Sequence, residues 1–179
     1  MAKTLIATAT SDGSDSSLGF TSGIDSTYDV YEFHFTNIHP ETDTVNFGFQ
    51  VNADGGSGFN ETITSTYATA YHVEDDSGAG LFYDTGYDQA EGTAYQVLAR
   101  DVGTDNDESA SGILTLYAPS SGVYVKHFMA TVSTTYRTGY QFNNHIAGYI
   151  NTATAITQID FKFASDEIQG GEIKMFGVS

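Results

Sequence analysis

Two acidic clusters are the residues in this sequence best suited to chemistry. The first is Asp101-Val-Gly-Thr-Asp105-Asn106-Asp107-Glu108-Ser109. Spaced oxygen ligands in a loop can bind calcium, which makes Asp105, Asp107 and Glu108 the candidate ligands. The spacing departs from an EF-hand loop, because no glycine and terminal glutamate stand at the required offsets. Asp and Asn also build solvated turns through side-chain hydrogen bonds to backbone, and the turn is the stronger reading. The second cluster is His72-Val73-Glu74-Asp75-Asp76. One imidazole and neighbouring carboxylates could ligate a metal. No second histidine lies close in sequence, so the run reads as the polar end of a strand entering a loop. The expectation is no metal site and no cofactor.

Other catalytic arrangements fare no better. With 23 acidic residues, composition leaves carboxylate pairs for glycoside hydrolysis open. Such an enzyme needs two carboxyls across a sugar cleft. Tryptophan, a common stacking platform, is absent, and the 12 tyrosines read as ordinary strand surface. The chain has no G-x-S-x-G elbow, no P-loop and no G-x-G-x-x-G before a helix. Gly55-Gly56-Ser57-Gly58 reads as a hairpin turn between two strands, not a phosphate cradle. Cysteine is absent, which removes disulfides, thiolate metal sites and cysteine nucleophiles. The reading is that of a chain that is not an enzyme.

Charge narrows the partners. The net charge is −17, and the six basic residues Lys3, Arg100, Lys126, Arg137, Lys162 and Lys174 are scattered. Nucleic-acid binding calls for a basic patch, so nucleic acid is not expected as a partner. Anionic membrane surfaces are disfavoured for the same reason. No apolar run approaches the roughly 20 residues that span a bilayer. The opening MAKTLIATATSDG lacks the form of a signal peptide, so synthesis in the cytoplasm of the producing cell is expected.

The elements that must position these residues are strands. A length of 179 residues suits one domain over 1–179. Thr, Ser, Gly, Tyr, Phe and Val supply strand and turn chemistry. Period-two alternation puts Tyr31, Phe33 and Phe35 on one face of 30–38, and Val45, Phe47, Phe49 and Val51 on one face of 44–51. The turn residues between them make the pair read as a hairpin. Further strands are expected at 5–9, 61–73, 112–118, 123–132, 136–150, 156–163 and 172–178. Pro119-Ser120-Ser121-Gly122 reads as a tight turn. The segment 94–100 could be a short helix or a strand. The stretch 74–93 reads as a long polar loop, of a kind that often serves as an interface element. The fold class is therefore an all-β, single-domain antiparallel β-sandwich, jelly-roll-like, with eight to nine strands.

Several phrases go beyond composition: Phe20-Thr-Ser-Gly-Ile-Asp-Ser-Thr-Tyr28, the run Asp105 to Ser121, Val125-Lys-His-Phe128, Ala147-Gly-Tyr149 and the ending Gly171-Glu-Ile-Lys-Met-Phe-Gly177. In this order, over nearly the whole chain, they resemble small virion proteins of marine tailed bacteriophages, including phages of cyanobacteria. The resemblance implies a jelly-roll-like virion component without catalytic signatures, and assigns no binding residues. It implies a homo-oligomer, most simply a trimer, placed with the major capsid protein or tail proteins. Two roles follow as expectations: a capsid decoration (cement) protein, or a tail-fibre or receptor-binding module that recognises host surface glycans. The lone compact domain without a fibrous shaft leans to the head. Edge strands rich in Tyr, Thr and Val, without the lysines that usually blunt them, point independently to self-association.

Overall fold

The computed structural model describes residues 2–136 and 139–179. Twelve strands run among them: β1 (Lys3–Thr10), β2 (Leu18–Phe20), β3 (Val30–Pro40), β4 (Val45–Ala53), β5 (Ile63–Val73), β6 (Ala79–Tyr83), β7 (Gln96–Val102), β8 (Ala110–Tyr117), β9 (Lys126–Tyr136), β10 (Tyr140–Ile150), β11 (Ile156–Phe163) and β12 (Ile168–Val178). They form two antiparallel sheets. The large one has the order β1-β12-β3-β8-β9-β10-β5-β6, and the small one β2-β11-β4-β7.

Four pairs are nested: β1 with β12, β2 with β11, β3 with β8, and β4 with β7. That nesting is the wrapping of a jelly roll. The other four strands extend the large sheet past β8, in the order β9-β10-β5-β6. The all-β sandwich expected from the alternation is what the chain forms.

The core lies between the sheets, where the alternation puts it. Tyr31, Phe33 and Phe35 of β3 face Phe47, Phe49 and Val51 of β4 and Ile159, Phe161 and Phe163 of β11, all buried. Phe161 is the hub, with ring centres 5.3–6.4 Å from those of Phe33, Phe35, Phe47 and Phe49. Under the extension the inner face stays largely apolar, with Ile63, Tyr67, Phe128, Val132 and Ile146 buried, but it includes a polar rung. Thr69, Asn144 and Thr134 form a buried hydrogen-bonded rung across β5, β10 and β9.

Several local expectations are corrected. The segments 30–38 and 44–51 are strands, but not a hairpin. β3 lies in the large sheet and β4 in the small one. Their alternate apolar faces both point into the core, which two paired strands of one sheet could achieve only on a shared face. The link between them carries Thr44 at φ 63°. Likewise Gly55–Gly58 is a crossing between sheets, from β4 to β5, with Gly55 and Gly58 at positive φ. β8 and β9 do pair as a hairpin, Leu116 opposite Phe128, but through a connection longer than a tight turn. The long strand expected over 136–150 divides: Tyr136 closes β9 and Tyr140 opens β10, directly opposite it. Residues 137 and 138 of that expected strand lie outside the described residues. The count exceeds eight to nine because β2 has only three residues, β6 lies inside the expected loop 74–93, and 94–100 resolves as strand β7.

Candidate interaction face

The structure separates the two acidic clusters. Glu108 is buried, and its Oε2 accepts the Asp105 N–H at 2.9 Å. A Cβ on Gly103 would lie 1.9 Å from that oxygen, so glycine at 103 makes room for the carboxylate to fold back on its own turn. Asp107 stays exposed. In the second cluster, His72 Nε2 meets Asp76 Oδ1 at 3.3 Å, with both side chains largely in solvent. Asp75 accepts the Ser77 N–H, and the hydrogen bonds from Ser77 hold its carboxyl below the usual range. Among the described residues, no three His, Asp or Glu side chains converge as a metal would require.

Arg100, read in sequence only as one of six scattered cations, is a structural clasp. Its Nη1 lies 2.6 Å from Asp84 and its Nη2 2.9 Å from Asp101. The guanidinium also stacks over Tyr87 and Phe142, 4.9 Å from each ring centre. This fastens the segment after β6 to β7 and β10. A second fastening is polar: Ser65 Oγ donates to Gln96 Oε1 at 2.6 Å and accepts the Gln89 N–H at 2.9 Å. Much of the expected loop is thus tied down, with β6 held at the end of the large sheet.

The outer face of the extended sheet is the feature with a functional signature. β5, β6, β8, β9 and β10 together hold one charged residue, Lys126. It points inward, where its ammonium donates to the carbonyls of Tyr124 and Thr152. The register lays uncharged rows across the sheet. One runs Ile113, Thr131, His145, Ala68, Tyr83. The next runs Thr115, Met129, Ala147, Thr66. A third runs Ser111, Ser133, Asn143, Ala70, Leu81. At the β1–β12–β3 margin stand the ion pairs of Lys3 with Glu32 at 2.6 Å and Lys174 with Glu172 at 2.5 Å.

This face also holds apolar side chains that a soluble surface would normally cover. Met129 is 56% exposed, and Ile113, Tyr117, Leu81 and Tyr83 stand out beside it. Three concavities lie side by side on it, one of about 540 Å³ between Glu32 and His145 and one of about 620 Å³ between Ser111 and Asn143 among them. Five strands about 4.8 Å apart and up to roughly 30 Å long span on the order of 600 Å² of sheet plane. One partner of a standard interface contributes about 800 Å². Depletion of charge with enrichment of Met and aromatic residues marks the centre of such interfaces.

The sequence carries a signal for this face in the gap between acids. No Asp or Glu occurs from Ser109 to Ile159, in a chain with 23 of them. Alternation locates strands, whereas only the charge map along the chain picks out which strands share a neutral face.

Comparison with known protein families, curated proteins and solved structures finds no match.

Proposed function

We propose that this chain is a non-enzymatic structural protein exposed on a tailed-phage particle, a capsid decoration (cement) protein. It assembles with copies of itself, as a trimer by the family resemblance, and docks on virion proteins such as the major capsid protein. The observation that carries the reading is the charge-free outer face of β8, β9, β10, β5 and β6 on a chain of net charge −17. A strongly acidic protein meets a like-charged surface, such as a copy of itself, with least repulsion where its own charge is absent. The remaining carboxylates, on loops and margins, suit a surface turned to solvent and away from packaged DNA. The phrases that resemble marine phage virion proteins supply the particle. Antibody labelling of intact particles tests this: the head exterior should label, and an unlabelled exterior on both head and tail would contradict it.

A second reading is a tail-fibre or receptor-binding module for host surface glycans. It is favoured by the rings of Tyr117, His127 and Tyr149 towards one end of the same face and the amides of Asn143 and Gln141 towards the other. The apolar centre formed by Ile113 and Met129 suits protein better than sugar. Labelling confined to the tail tip, with calorimetric binding of host polysaccharide lost in Tyr149→Ala, would select this reading.

A further inference from the structure

We propose that β6 is a strand-addition edge whose occupant is the same strand of a second copy, antiparallel about a two-fold axis at Leu81. β6 ends the large sheet and, among the described residues, pairs only with β5. The Asp84 N–H donates to the Tyr67 carbonyl at 2.9 Å and the Val73 N–H to the Gly78 carbonyl at 2.9 Å. These bonds set the phase of the ladder: the backbone groups of residues 78, 80, 82 and 84 point to β5. Those of Ala79, Leu81 and Tyr83 point to the open edge. All five β6 residues are exposed.

Open edges are normally blunted by lysine, proline, bulges or very short strands. The opposite end of the same sheet, β1, carries Lys3 and a register shift between Leu5 and Ala7. In the small sheet, β2 has three residues. β6 carries none of these devices. Gly80 lets it lie flat, since a Cβ there would come within 2.8 Å of the Tyr71 ring.

The edge is complementary to itself. Antiparallel pairing centred on Leu81 sets small Ala79 opposite large Tyr83 of the other copy, with Leu81 beside its own mate. It forms up to about six backbone hydrogen bonds. Leu81 and Tyr83, 75% and 51% exposed, gain an apolar neighbour. The flanking acid, Asp84, is already neutralised by Arg100 at 2.6 Å, and the Tyr83 hydroxyl donates to Asp88. Pairing also joins two charge-free faces into one. A five-residue edge buries well under the ~800 Å² per partner of a standard interface, so the contact is weak and concentration-dependent. It holds whether or not the chain belongs to a phage particle.

The chain has no cysteine, so Leu81→Cys introduces a single thiol. Hydrogen-bonded antiparallel pairs have Cα atoms about 5.5 Å apart, inside the roughly 4.4–6.8 Å that a disulfide spans. Mild oxidation should give a covalent dimer of Leu81→Cys and leave Leu5→Cys, on the opposite edge, monomeric. Met129→Glu, which disables the broad face, should keep a monomer–dimer equilibrium in sedimentation velocity. Adding Leu81→Pro should weaken its Kd about tenfold or more, since proline is tolerated where the N–H faces outward. Leu81→Lys should do the same by adding charge. Equal cross-linking at 81 and 5, or a Kd unchanged by both Leu81 substitutions, would overturn the edge pairing while leaving the broad face to be judged by Met129→Glu alone.

Discussion

The guanidinium of Arg100 on β7 lies 4.9 Å from the ring centre of Phe142 on β10, so one side chain bridges the small sheet and the extension of the large one. Its removal leaves Asp84 and Asp101 without their cation in a site about four-fifths shielded from water. Arg100→Ala should lower stability by about 2–3 kcal/mol, less than a fully buried pair loses. Arg100→Lys keeps the charge but not the planar stacking, and should recover only part of the loss. Urea unfolding of the three proteins measures this. A cost for Arg100→Ala below about 0.5 kcal/mol, the range of ordinary surface substitutions, would contradict the clasp.

Phe161 sets the core scale. Its ring meets those of Phe33, Phe35, Phe47 and Phe49 and is fully buried. Phe161→Ala should cost about 3–5 kcal/mol in the same assay. Phe161→Leu, closer in volume, should cost less.

Gly148 marks a close approach of strands. A Cβ there would lie 2.5 Å from the Thr64 carbonyl and 2.7 Å from the Phe128 ring. Gly148→Ala should destabilise by about 1–3 kcal/mol through overpacking. Gly122→Ala, with nothing within 4 Å, is the control and should be near neutral.

Much of this architecture is legible in the residues. The alternations at 30–38, 44–51 and 156–163 locate strands and their buried faces, because burial on one side imposes a period of two. Pairing is less legible. Phe35 and Phe47 face one another across the core, which a sequence pattern cannot tell from neighbours in one sheet. β6 is hidden because Ala79 and Gly80 break the alternation, and its place depends on β5, Tyr71 and the Arg100 clasp. The acidic clusters are visible as composition, but the fold-back of Glu108 onto Asp105 depends on the space left at Gly103.

Alkaline pH should weaken the fold. Burial pushes the ionisation of Tyr67 well above the usual tyrosine range. Burial does the same to Tyr95, helped by its 2.8 Å hydrogen bond to Asp160. In the unfolded chain both ionise near about pH 10. The folded state keeps protons that the unfolded state releases, so the stability they contribute is full below about pH 10 and lost progressively above it. The urea midpoint should be level from about pH 8 to 9.5 and fall beyond, and Tyr67→Phe should flatten the fall. A midpoint independent of pH to about 11 would contradict this.

On the proposed function, copies of the chain meet through the charge-free outer face of the extended sheet. Met129 stands at its centre, between Thr115 and Ala147, and half of its surface is free. Sedimentation equilibrium of the purified chain at micromolar concentration, beside Met129→Glu, tests the claim most directly. The unsubstituted chain should sediment as an oligomer, its mass matching a trimer, and that species should be lost in Met129→Glu with an unchanged urea midpoint. A clean monomer for the unsubstituted chain, or an oligomer indifferent to a charge at position 129, would contradict it.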